Sequence, residues 1–196
     1  MKDIAIFGAG GFGREIACMI RNNFPEWNIV GYFDDGVEKG TKISPFGKVL
    51  GGIDELNAWC DKLAVAFAIG NPKIVRLLVG KVNNPKISYP NIIHPSFKIL
   101  DEETFSIGKG NIITSDCRVS CNVSIGDFNA FNGSVVLGHD AQIGSYNSFM
   151  PAVRVSGEVK IGDCNFFGVA SIVLQQLRVG SEVKLGAGSV LMTKPK

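Results

Sequence analysis

The sequence predicts a chain of two unlike parts, an α/β half with a small parallel sheet followed by a parallel β-helix built from six-residue repeats. Three observations predict it. An apolar residue returns at every sixth position from Ile107 to Leu191. The apolar run Ile4-Ala5-Ile6-Phe7 feeds directly into Gly8-Ala9-Gly10-Gly11-Phe12-Gly13. A second apolar run ends in Asp34-Asp35, about twenty residues beyond the glycines. Asn83-Asn84-Pro85 and Ser88-Tyr89-Pro90 separate the two patterns, so the expected domains are residues 1–90 and 91–196.

In the α/β half, Ile4 to Phe7 has the continuous apolar character of a buried strand. The segment Arg14 to Arg21 carries Ile16, Ala17 and Ile20 at helical spacing, and Asn28 to Phe33 reads as a second strand. Strand, G-x-G-x-x-G, helix, strand and acid together form a mononucleotide-binding, Rossmann-like pattern. Its glycines let backbone N–H groups at a helix N-terminus approach a phosphate, and its carboxylate can accept hydrogen bonds from sugar hydroxyls. Lys48 to Leu50 predicts a short strand and Asp54 to Trp59 a helix. Leu63 to Ile69 predicts a third buried strand closed by Gly70-Asn71-Pro72, with a further helix to about Gly80. Gly70 and Asn71 thereby join the glycine turn and Asp34 at the rim where open parallel sheets bind ligands. The α/β pattern ends by residue 90, half the length a dinucleotide fold needs, which favours a nucleotide or nucleotide-sugar over NAD.

The repeat runs Ile107, Ile113, Val119, Ile125 and onward to Val179, Leu185 and Leu191 without a slip. At the chain's overall apolar content of 45%, such a run arises by chance on the order of once in 10⁵ trials, counting matches to the template. Six is a multiple of two and not of 3.6, so the period suits short strands joined by corners, stacked as a prism in which each coil buries its neighbour. The place after the apolar one is often glycine, as at Gly108, Gly126, Gly138 and Gly144, which fits either a turn with positive φ or a close approach of backbones. The fifth place is small or medium throughout, from Asn111 and Cys117 to Val183 and Ser189.

Composition narrows the function. A net charge of +2 with no basic run argues against a nucleic-acid partner. Five scattered cysteines without a C-x-x-C pair read as buried or idle thiols of a reducing compartment. The apolar N-terminal run is too short for a signal peptide or a membrane insertion, so the expected location is cytoplasmic.

The chain has only two histidines, so each is informative. His94 beside Pro95 reads as a hydrogen-bonded residue of the junction. His139 occupies the third place of its hexad, a corner, and Asp140 follows it. A neutral imidazole there can take a proton from an amine or hydroxyl attacking an acyl carbonyl, and Asp140 can orient it if it comes within hydrogen-bond reach. No serine or cysteine nucleophile motif is visible, which favours direct attack over an acyl-enzyme. A corner glycine such as Gly157 offers an unobstructed N–H to the developing oxyanion. With one histidine inside the repeat, a three-histidine zinc site cannot be assembled, so no metal is expected.

The glycine turn, Asp34-Asp35, Ala68-Ile69-Gly70-Asn71, Ile93-His94-Pro95-Ser96 and Gly138-His139-Asp140-Ala141-Gln142-Ile143-Gly144 together resemble the bacterial sugar acyltransferases of the sialic acid O-acetyltransferase type. Closely similar are N-acetyltransferases acting on nucleotide-linked 4-amino-4,6-dideoxy sugars, as in the bacillosamine pathway. The resemblance spans essentially the whole chain. It implies a left-handed β-helix, a homotrimer, and acetyl-coenzyme A (acetyl-CoA) as co-substrate in a groove between subunits. It also implies His139 as general base supported by Asp140, with Gly157 N–H facing the thioester carbonyl. Ser148, Val169 and Ala187 fall where the family contacts the coenzyme, and Gly10, Gly11, Phe12, Asp34, Asp35 and Gly70 where it contacts the nucleotide-sugar. The expected function is acetylation of the amino group of a nucleotide-linked sugar for surface glycan biosynthesis. The alternatives are O-acetylation of a sialic acid or related sugar, and a non-catalytic scaffold that binds sugar nucleotides.

Overall fold

A computed structural model describes residues 1–192; the last four residues of the second expected domain lie outside the described part. Contacts divide the chain into a unit ending at Ile92 and a unit starting at Ile93.

The first unit contains β1 (Lys2–Phe7), α1 (Gly11–Asn23), β2 (Trp27–Phe33), β3 (Val49–Gly51), α2 (Ile53–Asn57), β4 (Leu63–Phe67), α3 (Pro72–Lys81) and β5 (Ile87–Ser88). The strands form one sheet in the order β3-β2-β1-β4-β5, and the pairings are parallel. The chain therefore leaves β1 toward one side and returns to β4 on the other, so the switch point lies between β1 and β4. β1 and β4 are buried along their apolar runs and β2 over its last three residues, and all three end in phenylalanine. Phe7 stacks on Phe67 at 5.2 Å and on Phe33 at 6.4 Å, giving the rim an aromatic floor beneath the loops. Helix α1 starts three residues before the expected Arg14, directly at Gly11, and its cap Gly10 supplies no side-chain hydrogen bond. Low glycine propensity is overridden because a helix beginning there packs Gly13 against β1 and the turn. A β-carbon on Gly13 would fall 1.8 Å from the Gly8 carbonyl oxygen.

The second unit is a left-handed parallel β-helix whose two-residue strands stack into three parallel sheets of six, five and six strands. Partners lie one 18-residue coil apart, as in Arg118 with Val136 and Val119 with Leu137. The first place of each hexad points inward, and from Ile113 to Leu185 every such residue is buried. Phe131, Phe149 and Phe167 stack directly, with ring centroids 4.6 and 4.7 Å apart. At one inner corner the buried Asn111, Asn129, Asn147 and Asn165 form a ladder. The side-chain oxygens of Asn111, Asn129 and Asn147 each accept both the backbone N–H and the side-chain N–H of the next asparagine at 2.9–3.0 Å, and that of Asn165 accepts the Val183 N–H at 2.8 Å. The ladder satisfies buried polar groups that the apolar core cannot.

The corners separate the two explanations for the glycine column. Gly108, Gly126, Gly138 and Gly144 do not have positive φ; the fourth place does, in Asp116, Asn122, Phe128, Ser134, Asp140, Tyr146 and onward. The left-handed conformation costs an L-residue roughly 1–2 kcal/mol. It is offset by a backbone bond to the coil before, such as Asp140 N–H to the Cys121 carbonyl at 3.0 Å. The second-place glycines answer to close approach instead. A β-carbon on Gly138 would lie 2.6 Å from Gly157 N.

Candidate active site

His139 sits at the third place of a corner of the β-helix, half-exposed, with its Nδ1 2.7 Å from Asp140 Oδ2. The reach that the sequence left conditional is met. Asp140 owes its orientation to the left-handed backbone (φ 58°), which turns it back beside the residue that precedes it. A carboxylate only accepts, so the shared proton belongs to Nδ1, and in the neutral ring Nε2 keeps its lone pair. Hydrogen bonds from the Asn122 amide, first, and from His139 hold the Asp140 carboxyl below the usual carboxylate range. The Asn122 Nδ2 donor stands 2.6 Å from Asp140 Oδ1.

Gly157 lies one coil beyond, buried, and the imidazole covers it. A β-carbon there would fall 2.4 Å from Nε2 of His139. Among the described residues the Gly157 N–H meets no acceptor, while its carbonyl receives Gln176 N–H at 3.0 Å. The basic nitrogen and an unpaired N–H donor are thus neighbours.

That unpaired donor is a property of the corner. At the corner carrying the asparagine ladder, third-place N–H groups are closed off by side chains from the next coil. Lys109 N–H donates to Asp127 Oδ1 at 2.8 Å, Asp127 N–H to Ser145 Oγ at 3.0 Å, Ser145 N–H to Asp163 Oδ1 at 2.7 Å and Asp163 N–H to Ser181 Oγ at 2.9 Å. No such side chains stand at the His139 corner or at the corner of Val169 and Ala187, whose N–H groups also lack acceptors among the described residues. Val169 and Ala187 are exposed, 18 residues apart in one column. Ser148 is different: it is 2% exposed in a strand and its backbone N–H donates to the Asn165 carbonyl at 2.9 Å, so its backbone offers no open donor.

The His139-Asp140 pair forms a ridge between two grooves. On one side a cleft of about 650 Å³ is lined by Phe97, Leu100, Ser120, Val136, Gly138 and His139. On the other a polar cleft of about 630 Å³ is lined by Asn122, Asp140, Glu158, Lys160, Gln176 and Arg178. Asn122 escaped the sequence reading; the signal was its place 18 residues before Asp140. Asn132 escaped it too: its buried Oδ1 has no partner among the described residues. His94 Nδ1 accepts the Ser96 N–H at 3.1 Å, the arrangement of a structural histidine. No cluster of three metal-ligating side chains occurs among the described residues.

In the first unit Asp34 anchors the glycine turn: Oδ2 accepts Ala9 N–H and Oδ1 accepts Gly36 N–H, both at 2.8 Å. Asp35 Oδ1 accepts Ile53 N–H at 2.7 Å, at the start of α2. Added β-carbons on Gly10, Gly11 and Gly70 would meet nothing within 4 Å, so the chain's own packing gives no reason for glycine there. Phe12 lies half-buried in the first turn of α1. Among the described residues no helix is long and apolar enough to cross a membrane.

Residues 3–82 match the PglD N-terminal domain family. The acetyltransferase domain of PglB from Neisseria gonorrhoeae, in complex with acetyl coenzyme A, superposes with a TM-score of 0.85 at 25% identity, over 97% of this chain and 91% of that one. PerB from Caulobacter crescentus, in complex with CoA and GDP-perosamine, superposes with a TM-score of 0.83 at 23% identity, over 98% and 89%. WeeI from Acinetobacter baumannii gives 0.78 at 24% identity, over 100% and 98%. No curated protein matches the chain.

Proposed function

We propose that this protein, a sugar acetyltransferase of the hexapeptide-repeat type, moves an acetyl group from acetyl-CoA to the amino group of a nucleotide-linked 4-amino-4,6-dideoxy sugar destined for a surface glycan. The observation that carries the reading is the pairing of His139 Nε2, freed by the Nδ1–Asp140 bond, with the unpaired N–H of Gly157 beside it. His139 removes the proton from the attacking amine as the new C–N bond forms. The Gly157 N–H holds the oxyanion, which is the atom where charge develops. On collapse the C–S bond breaks and the thiolate of CoA takes the proton back from His139. Asp140 keeps the imidazole in the productive tautomer and stabilises its cation.

The open N–H groups of Val169 and Ala187 suit a ligand rich in carbonyl and phosphate oxygens, as CoA is, and the PglB domain of similar fold is known with acetyl coenzyme A. The uncapped N-terminus of α1 and the unobstructed Gly10, Gly11 and Gly70 suit the diphosphate of a nucleotide-sugar. Exposed apolar Val169, Leu174, Val190 and Met192 favour a homotrimer that covers them and shares the coenzyme groove between subunits.

The test is thiol release with candidate 4-amino nucleotide-sugars, wild type against His139→Ala. Turnover should fall by about 10³-fold, within the range for a general base. Undiminished turnover in a folded variant overturns the reading. The product should be an amide, stable in mild base where an ester is not. Light scattering should give three chains per particle.

A further inference from the structure

The hydrogen bonds of Asp140 continue away from His139 in a direction that the acetyl-transfer reading does not use. Asp140 Oδ1 accepts the Asn122 amide at 2.6 Å, so Asn122 sits on the face of the carboxylate remote from the imidazole. With both oxygens engaged, one by Asn122 and one by His139, the carboxylate cannot rotate without breaking a charge-assisted bond.

Asn122 is itself held, and by an unusual device. At the other coils of this corner the fourth-place N–H donates to the third-place carbonyl of the coil before: Asp140 to Cys121 at 3.0 Å, Glu158 to His139 at 2.8 Å, Gln176 to Gly157 at 3.0 Å. Asn122 has no such bond, because the segment 18 residues earlier is irregular. Thr104 Oγ1 takes the place of that carbonyl, accepting Asn122 N–H at 2.8 Å. The Thr104 hydroxyl proton is directed to Asp101 Oδ2 at 2.7 Å, which leaves an oxygen lone pair for Asn122. Asn122 also has left-handed φ (55°), a conformation asparagine tolerates better than most residues. One chain of hydrogen bonds therefore runs from Asp101 through Thr104 and Asn122 to Asp140 and His139.

We propose that Asn122, fixed by Thr104, is a positioning residue for the general base: it locks the Asp140 carboxylate and thereby the tautomer of His139. The proposal rests on His139 being the base, so its test has a readout independent of turnover. The protein has two histidines, and His94 Nδ1, an acceptor from Ser96 N–H, marks the opposite tautomer within the same molecule. Nitrogen-15 NMR of the two imidazoles at a pH where both are neutral should show His139 protonated on Nδ1 and His94 on Nε2. In Asn122→Ala, His139 should shift toward the Nε2–H form that predominates in a free neutral histidine side chain, with His94 unchanged. kcat should fall about tenfold with little change in either KM, as misorientation of a base requires. Thr104→Val should reproduce both effects in weaker form and Thr104→Ser should restore them, which covers the case of a poorly folding Asn122 variant. An unchanged His139 tautomer in folded Asn122→Ala or Thr104→Val overturns the proposal and leaves the acetyltransferase reading intact. Full turnover in His139→Ala would instead remove the reading on which it rests.

Discussion

The imidazole of His139 lies directly on Gly157, where a β-carbon would fall 2.4 Å from Nε2 and 2.6 Å from Cε1. The atoms that any side chain at position 157 would displace belong to the end of a half-exposed side chain and not to backbone. The fold can therefore absorb an alanine while the imidazole must move.

If His139 is the general base as proposed, Gly157→Ala should lower kcat by about 10²-fold, the cost of misplacing such a group by an ångström or so. The melting temperature should move by less than about 4 °C, the equivalent of roughly 1 kcal/mol in a chain of this size. Kinetics and thermal melting on one preparation check both halves. A large loss of stability would mean that the imidazole is wedged and cannot yield.

The pH dependence follows from Asp140. Its folded pKa is depressed by the Asn122 and His139 hydrogen bonds. The interactions of the ionised carboxylate are then complete above its unfolded pKa and are lost only as pH falls through the lower folded value. Asp140 therefore stays ionised across the range in which an imidazole titrates and should add no proton of its own to the acid limb of kcat/KM. Asp140→Asn keeps the shape but can offer an N–H to Nδ1, which selects the wrong tautomer. kcat should drop on the order of 10²–10⁴-fold. An acid limb that loses a proton-dependent step in Asp140→Asn would contradict this assignment.

The asparagine ladder makes a prediction about stability alone. Asn147 Oδ1 accepts both the N–H and the Nδ2 donor of Asn165 at 2.9 Å, and all three groups are buried. Asn147→Ala orphans these two donors and should cost about 2–5 kcal/mol, with no change in KM for either substrate. Denaturant unfolding at equal m-value checks it.

The inward column was fully legible because burial forces apolar character at one place in six, and burial repeats with the backbone. The left-handed corner was not legible. Its φ is imposed by the coil-to-coil hydrogen bond whatever side chain is present, so residues as different as Phe128, Ser134 and Asp140 share it and leave no compositional trace. The glycines drew the eye to the neighbouring place, where the reason is contact and not φ. In the same way His139, Asp140 and Gly157 stood out as residue types suited to acyl transfer. Asn122 did not, because its meaning comes from Asp140 one coil later. Reading the frame in steps of 18 aligns Asn122 under Asp140, Gly157 over His139 and the four ladder asparagines with one another. Ser148 differs from Val169 and Ala187 because it is a strand position whose backbone N–H is taken by the next coil, leaving only its hydroxyl to donate.

The glycine turn separates what folding requires from what a ligand requires. Gly13 is demanded by the chain: alanine there would drive a β-carbon to 1.8 Å from the Gly8 carbonyl oxygen, and the contact is backbone on both sides. Gly13→Ala should cost about 3 kcal/mol or more, since neither partner can move aside without shifting α1 from β1. Gly10 and Gly11 face open space, and Gly10 has an extended backbone that alanine adopts freely. Gly10→Ala and Gly11→Ala should leave the melting temperature unchanged or slightly raised, because the unfolded chain loses freedom. Both should weaken nucleotide-sugar binding, since the new β-carbon stands where a diphosphate would approach the N–H groups of α1. Calorimetric titration with a nucleotide-sugar, beside thermal melting, distinguishes the two classes. Undiminished affinity in both Gly10→Ala and Gly11→Ala would place the acceptor elsewhere than on this turn.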